Sequence, residues 1–194
     1  MIIGITGGIG SGKSVVCDIF RMHNVPIFDA DNEAKALNDS SPIIREKLTA
    51  HFGSDIYNEG KLDKKKFASL IFNNEDNLKI ANSIIHPEVA THMLEWCKKR
   101  ENHPLVIIDA AILIEAGFDK YVDKIITIYS PTELRTERVV KRDNTSRDQV
   151  ESRMKRQIPE EEKIKAADWV IINDEKDSLI KQVSTILDEV QSMI

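Results

Sequence analysis

A glycine-rich segment near the start of the chain has the residue types of a phosphate-binding loop. The residues from Gly7 to Ser14 read GGIGSGKS, which matches the pattern G-x-x-x-x-G-K-[ST]. Glycine lets the backbone turn so that several N–H groups point at one anion, and the lysine adds a positive charge. The serine that follows the lysine is placed to bind Mg²⁺. This spacing predicts that the loop binds the phosphates of a nucleoside triphosphate.

The residues on either side of the loop support the same interpretation. The apolar run Ile2–Thr6 is typical of a buried strand, and the apolar spacing from Lys13 to Met22 predicts a helix. The first turn of such a helix offers unpaired N–H groups and a partial positive charge to a bound phosphate. The residues that we expect to contact the nucleotide are Gly8, Gly10, Ser11, Gly12, Lys13, Ser14 and Val15.

The glycines fit two other interpretations less well. A dinucleotide-binding pattern, G-x-G-x-x-G, would need a third glycine where Lys13 or Val15 stands. A plain glycine turn with an incidental lysine would not need a strand before it and a helix after it.

Two acidic residues follow the second predicted strand, Val25–Phe28. Asp29 and Asp31 stand at the carboxyl end of this strand, which is where a parallel sheet places its ligands. Alternate residues of an extended segment point the same way, so both carboxylates could face the nucleotide. A carboxylate there can orient an acceptor hydroxyl and accept its proton. The alternatives are that these residues lie in a solvated loop, or that Asp31 only caps the helix that follows.

A third carboxylate ends the predicted strand Leu105–Asp109. The end of a neighbouring strand is the usual location for the side chain that holds Mg²⁺, directly or through water. We therefore expect Asp109 to bind the metal ion together with Ser14, with ordinary capping of the strand end as the alternative.

Arginines are concentrated between residues 135 and 163, in a segment that we interpret as a lid. Such a lid can neutralise the charge of a transferring phosphoryl group and exclude water. We assign Arg138 and Arg142 to that group, although neighbouring acidic residues could equally pair with the arginines on a solvated face. The arginines of the segment are Arg135, Arg138, Arg142, Arg147, Arg153 and Arg156.

The apolar runs and the helical spacings together predict a three-layer α/β fold of the P-loop NTPase type with a five-stranded parallel sheet. Its core comprises residues 1–30 and 105–194, and residues 31–104 form an inserted helical lobe without strands. A break in the lobe is predicted at His86 and Pro87. The other two predicted strands are Lys124–Tyr129 and Trp169–Ile172. Helix starts are predicted by capping boxes at Ser130 with Glu133 and at Ser146 with Gln149.

Composition limits the partners and the compartment. The 194 residues have a net charge of −5, which argues against nucleic acid or a membrane surface as the main partner. No run approaches the roughly 18 to 20 apolar residues of a membrane span. Cys17 and Cys97 are far apart and lack CxxC spacing, which fits a reducing cytoplasm. We expect a cytoplasmic monomer or weak homo-oligomer that acts on a small molecule.

The residues by themselves indicate a kinase that phosphorylates a small molecule. A signalling GTPase would need a guanine-binding N-K-x-D segment, and INDEKD after Ile171 has the letters but not the order. A nucleoside monophosphate kinase remains open as another kinase. A nucleotide-binding switch remains open outside the enzymes.

The chain resembles the dephospho-CoA kinase family over nearly its whole length. The segments that carry the resemblance are GITGGIGSGKS, IFDADNEAKAL, IIHPEV, IIDAAILIEAGFDKYVD, RVVKRD with SRMKRQ, and AADWVIIN. The resemblance implies transfer of phosphate from ATP to the ribose 3′-hydroxyl of dephospho-CoA, with the inserted lobe binding this acceptor. It also implies that Asp31 is the base and that His86 lies near the acceptor. Ala111 departs from the family pattern, which usually has proline there.

Overall fold

Short strands rich in isoleucine and valine form the central sheet. The computed structural model describes residues 1–71 and 74–194, so residues 72 and 73 of the predicted lobe lie outside the described residues. One structural unit comprises Met1–Phe28 and Arg100–Ile194, and the other comprises Asp29–Lys99. The strands are β1 (Ile2–Thr6), β2 (Ile27–Asp29), β3 (Tyr57–Asn58), β4 (Lys61–Leu62), β5 (Val106–Asp109), β6 (Lys124–Tyr129) and β7 (Trp169–Ile172).

Helices make up most of the remaining described residues. They are α1 (Lys13–Met22), α2 (Ala30–Ser40), α3 (Pro42–Phe52), α4 (Lys64–Ile71), α5 (Glu75–Lys98), α6 (Thr132–Asp143), α7 (Arg147–Met154), α8 (Glu160–Ala166) and α9 (Leu179–Met193). Short 3-10 helices occur at Ser54–Ile56 and Asp119–Tyr121.

The sheet has the order β2-β5-β1-β6-β7. Strand β1 pairs in parallel with β5 and β6, and β6 pairs in parallel with β7. The predicted α/β fold and all five predicted strands are confirmed. The bounds differ at β2, which is Ile27–Asp29 rather than Val25–Phe28, and at β5, which begins at Val106 rather than Leu105. Pro26 has no N–H to donate, and its carbonyl oxygen accepts a hydrogen bond from the Ile107 amide at 2.9 Å.

Helices α1 and α9 pack on one face of the sheet and bury its apolar side chains. Ile5, Ile126 and Ile128 are fully buried there against Phe20 of α1 and Val183 of α9. Apolar burial of this kind supplies most of the free energy that holds a parallel sheet together. The carboxyl ends of β1 and β5 are thereby fixed side by side, with Ile5 opposite Asp109.

The two predicted capping boxes have different outcomes. Ser146 accepts a hydrogen bond from the Gln149 amide, and the Gln149 side chain bonds back to Ser146, so the box that starts α7 is confirmed. The predicted box at Ser130 is wrong, because Pro131 is the N-cap residue of α6. The Ser130 hydroxyl instead accepts a hydrogen bond from Arg138 at 3.2 Å.

The unit Asp29–Lys99 has a core of its own and contains a hairpin that the sequence analysis missed. Strands β3 and β4 pair in antiparallel fashion around Glu59 and Gly60, which both have a positive φ. A two-residue turn with glycine second is a typical hairpin signal. The guanidinium of Arg45 lies 5.1 Å from the centre of the Tyr57 ring and bonds to the Gly60 carbonyl. Buried core residues of this unit include Ile44, Leu48, Ile56, Phe67 and Ile84.

Helix α5 runs without interruption through Pro87, so the predicted break at His86 and Pro87 is wrong. A proline inside a helix removes one hydrogen bond and costs about 3 kcal/mol. Buried apolar residues lie on both sides of it, at Ile84 and Val89, and their burial offsets that cost. Tertiary packing therefore overrides the local preference.

None of the helices that residues 1–71 and 74–194 form is long and apolar enough to cross a membrane.

Shortening Ile126 tests the contribution of the sheet core. We expect Ile126→Ala to lower the free energy of unfolding by about 2–5 kcal/mol, because the side chain is fully buried and its removal leaves a cavity. Thermal or urea unfolding measures this loss. The control is Met193→Ala, at a side chain that is 54% exposed, and an equal loss in both variants would contradict the packing described here.

Candidate active site

The loop from Gly7 to Ser14 has a backbone that only glycine adopts without strain. Gly10 and Gly12 have φ values of 81° and 92°, in the left-handed region. Gly12 is also the N-cap of α1, so no side chain covers the first amides of this helix. A Cβ atom at Gly10 would lie 2.6 Å from the carbonyl oxygen of Arg135. The loop and the helix start thus have the shape and the donors that a phosphate group needs.

Asn173 holds one end of this loop. It follows β7 and is buried, and its side-chain N–H donates to the carbonyl oxygen of Ser11 at 2.7 Å. A Cβ atom at Gly12 would collide with the same amide group. The Asn173 side-chain oxygen lies 3.4 Å from the guanidinium of Arg138. No role was predicted for Asn173 from the sequence. The available signals were its position directly after a predicted strand and at the end of the AADWVIIN segment.

Lys13 and Asp109 form an ion pair at the carboxyl ends of the central strands. The Lys13 Nζ atom lies 3.0 Å from the Asp109 Oδ1 atom, and both side chains are largely buried. The Cys17 thiol, one turn after Lys13, lies close to the same carboxylate. Burial first, and then the charge of Asp109, raises the pKa of the Cys17 thiol far above its ordinary value. Cys17 therefore stays protonated, and sequence reasoning gave no reason to place it here.

The residues predicted to hold a metal ion offer the hard oxygen ligands that Mg²⁺ prefers, a hydroxyl at Ser14 and a carboxylate at Asp109. Within residues 1–71 and 74–194, no group of three or more His, Cys, Asp or Glu side chains is arranged to hold a metal ion. This donor set suits a Mg²⁺ ion that takes its other ligands from phosphates and water.

Asp29 and Asp31, at the end of β2 and just beyond it, are arranged differently from the prediction. Asp29 ends the strand, and its carboxylate accepts a hydrogen bond from the Asn32 amide at 2.9 Å. Asp29 is therefore the N-cap of α2, and the helix begins at Ala30. Asp31 is exposed in the first helical turn, so the predictions that it continues an extended segment and that it caps the helix are both wrong. Its role toward an acceptor stays a prediction.

His86 lies in the middle of α5, in the same unit as Asp31, and is half-buried. Burial lowers its pKa below the ordinary value for histidine, so the imidazole is neutral near pH 7. A neutral ring can donate one hydrogen bond and accept another. Within this unit α2 packs against α5. The Nε2 atom of His92 in α5 lies 3.1 Å from the Oε2 atom of Glu33 in α2.

The arginines of the predicted lid have different surroundings. Arg138 bonds to Glu175 at 3.1 Å and lies beside Asn173, so it is near the turn after β7. Arg142 is exposed and bonds to its neighbour Asp143 at 2.7 and 3.1 Å. Arg135, which received no specific role from the sequence, is the buried arginine beside the phosphate loop, and a Cβ atom at Gly8 would collide with its guanidinium.

Comparison with known proteins identifies the family. A family model described as dephospho-CoA kinase matches residues 1–178 of this chain. The chain is 41% identical to the dephospho-CoA kinase of Bacteroides fragilis over 185 residues, which cover 95% of this chain and 90% of that protein. The chain belongs to the dephospho-CoA kinase family.

Two solved structures are similar to this chain over nearly its whole length. The structure of TT1252 from Thermus thermophilus has a TM-score of 0.84 and 34% identity, covering 100% of this chain and 97% of that one. A dephospho-CoA kinase from Campylobacter jejuni has a TM-score of 0.72 and 26% identity, covering 98% of this chain and 97% of that one.

Ala111, the departure from the dephospho-CoA kinase pattern, lies in a turn that other residues hold. Its carbonyl oxygen accepts hydrogen bonds from the Thr6 hydroxyl at 3.3 Å and from the Lys163 ammonium at 3.2 Å. These bonds fix the chain after Asp109 without a proline.

Replacing Asn173 by aspartate tests its hold on the phosphate loop. The substitution places an oxygen against the Ser11 carbonyl in a buried position, so the hydrogen bond is replaced by repulsion. We expect the KM for ATP to rise roughly 5- to 150-fold, corresponding to about 1–3 kcal/mol. Initial rates at varied ATP concentration measure it. The exposed Asn24→Asp is the matched control, and an equal KM in the two variants would refute the role of Asn173.

Proposed function

We propose that this chain transfers the γ-phosphoryl group of ATP to the ribose 3′-hydroxyl of dephospho-CoA, the last step of coenzyme A synthesis. The observation that carries the proposal is the match to the dephospho-CoA kinase family over residues 1–178, which includes both the phosphate loop and the unit Asp29–Lys99. We further propose that the chain acts in the cytoplasm as a monomer or weak homo-oligomer, without nucleic acid or membrane partners.

On the donor side, the loop amides and the first turn of α1 bind the phosphates of ATP. The β- and γ-phosphates contact the residues assigned to the nucleotide, which are Gly8, Gly10, Ser11, Gly12, Lys13, Ser14 and Val15. Lys13 stabilises the charge that develops during transfer. The side chains of Ser14 and Asp109 would hold Mg²⁺, which would neutralise phosphate charge. The ion pair between Lys13 and Asp109 keeps both side chains at the end of β1 beside this loop.

On the acceptor side, the unit Asp29–Lys99 binds dephospho-CoA. Asp31 orients the 3′-hydroxyl and accepts its proton as the bond to phosphorus forms. Asp31 lies in the first turn of α2 and is exposed, which supports this role because an acceptor can reach its carboxylate. His86, kept neutral by burial, offers the acceptor a hydrogen bond without a charge.

Arg138 and Arg142 belong to the lid of residues 135–163 and neutralise the transferring group. Both guanidinium groups already bond to carboxylates, Arg138 to Glu175 and Arg142 to Asp143. These pairs are partly exposed, so exchanging the carboxylate for a phosphate oxygen costs little free energy. A charged, planar fork that binds two oxygens at once suits a phosphoryl group.

Release of ADP with a panel of acceptors tests the proposed reaction. We expect ATP and Mg²⁺ to give rapid ADP release with dephospho-CoA, and only background release with nucleoside monophosphates or without an acceptor. Fastest release with a nucleoside monophosphate would identify a different kinase. Slow release that no acceptor accelerates would indicate a switch instead.

Replacing Asp31 by asparagine tests its assignment as base. Asparagine keeps the shape but cannot accept the proton, so kcat with dephospho-CoA should fall roughly 10²- to 10⁴-fold. The control is Asp76→Asn, an exposed carboxylate in the first turn of α5 in the same unit. Turnover of Asp31→Asn at the level of Asp76→Asn would exclude Asp31 as the base.

A further inference from the structure

The segment that follows α7 bonds directly to the phosphate loop. We call residues Gln157–Lys163, which lead into α8 and include its first residues, the return segment. The side-chain oxygen of Gln157 accepts a hydrogen bond from the Ile9 amide at 2.8 Å, across 148 residues of sequence. Ile9 is the third residue of the phosphate loop. One backbone amide of the loop therefore points at the return segment.

A buried ion pair covers the neighbouring loop residue. The Arg135 guanidinium donates to the Glu160 Oε1 atom at 2.6 Å, and the two side chains are only 6% and 15% exposed. A Cβ atom at Gly8 would collide with both side chains. Gly8 therefore lacks a side chain because Arg135 and Glu160 occupy that space, which is a reason apart from phosphate binding.

The same segment holds the chain that follows Asp109. Lys163 is fully buried, and its Nζ atom lies 3.1 Å from a Glu115 oxygen and 3.2 Å from the Ala111 carbonyl oxygen. Glu115 also accepts a hydrogen bond from the Ile158 amide at 3.2 Å. The return segment thus bonds to both loops that carry the donor-side residues.

Stability alone does not account for the Arg135–Glu160 pair. Its Arg135 Nε and Glu160 Oε2 atoms are buried and have no hydrogen-bond partner among the described residues. A buried ion pair with unsatisfied atoms is often no more stable than apolar residues of the same size. Such a pair does fix a geometry, because either charge left alone in the interior is costly. Because the ion pair lies against Gly8, the geometry that it fixes is that of the phosphate loop.

We propose that Gln157 and the Arg135–Glu160 pair are positioning residues for ATP, through which the return segment sets the shape of the phosphate loop. This proposal rests on the proposed function, because it requires that the loop binds ATP. Because Gln157 holds the Ile9 amide and the ion pair covers Gly8, the start of the loop keeps one position relative to α1. The return segment lies inside the lid 135–163, so a displacement of the lid reaches the phosphate loop through these bonds.

Removing the Gln157 acceptor tests the first contact. Gln157→Met keeps the length of the side chain and loses the bond to Ile9, so the KM for ATP should rise roughly two- to tenfold. The KM for dephospho-CoA should stay within about twofold of that of the unmodified protein. The control is Gln182→Met, which loses a bond of the same kind and length, 2.8 Å, from the Ile172 amide, and a second bond to the Ile172 carbonyl oxygen at 2.9 Å. If Gln157→Met and Gln182→Met have the same KM for ATP and the same fall in Tm, the contact of Gln157 with Ile9 is merely structural.

Charge removal tests the ion pair. Arg135→Gln leaves the Glu160 carboxylate uncompensated beside the loop, where it repels phosphate, so affinity for ATP should fall roughly tenfold or more. The double variant Arg135→Gln with Glu160→Gln has no such charge and should recover most of that affinity. A loss of affinity for ATP in the double variant that equals the sum of the losses in Arg135→Gln and in Glu160→Gln would overturn the proposal.

Equilibrium binding of a non-hydrolysable ATP analogue separates this proposal from the proposed reaction. Its dissociation constant for each variant does not depend on any acceptor. If the acceptor panel fails but the variants weaken analogue binding as expected, only the acceptor assignment is wrong. If turnover with dephospho-CoA is normal and the analogue binds all variants equally, the positioning role is wrong.

Discussion

A loop made largely of glycine has little conformational preference of its own, so the residues around Gly7–Ser14 must impose its shape. Asn173 bonds to the Ser11 carbonyl and Gln157 bonds to the Ile9 amide, so side chains from two distant parts of the chain hold the loop. Gly10 and Gly12 adopt their positive φ values without strain because glycine has no Cβ atom. A Cβ atom would also collide with the Arg135 carbonyl at Gly10 and with the Asn173 side chain at Gly12. The phosphate loop therefore needs both glycines that can adopt its backbone conformation and neighbouring side chains that hold this conformation.

The charges at the ends of β1 and β5 follow from the same arrangement. The buried sheet core places Asp109 opposite Ile5, directly before the loop, and Lys13 reaches it from α1. A carboxylate so far removed from water needs a partner, and the Lys13 ammonium supplies one at 3.0 Å. Lys13 is thus held in place by the residue with which it shares the phosphate site. Preorganised charges of this kind need little rearrangement when a polyanion binds.

Local patterns in the sequence predicted most of the fold and the donor side of the site. The apolar runs identified all five strands of the sheet, and the phosphate loop motif carries its own mechanism. The hairpin at Glu59 and Gly60 was missed because strands of two residues are too short for periodicity. The break at Pro87 was wrongly predicted because buried neighbours outweigh a local preference that the sequence shows plainly. The contacts of Gln157, Arg135 and Asn173 depend on tertiary placement, which no spacing in the sequence reveals.

The junction between β2 and α2 shows how a small change in local structure alters the interpretation of a site. Had the strand continued, Asp29 and Asp31 would point the same way as a pair of equivalent carboxylates. The Asp29 carboxylate accepts a hydrogen bond from the Asn32 amide, so the helix starts directly after the strand. Asp29 and Asp31 therefore have different roles. Asp29 fixes where the helix begins, and this places Asp31 in the first turn, where the helix dipole favours its negative charge. The capping residue and the proposed base are thus linked, since the position of Asp31 depends on the hydrogen bond that Asp29 makes.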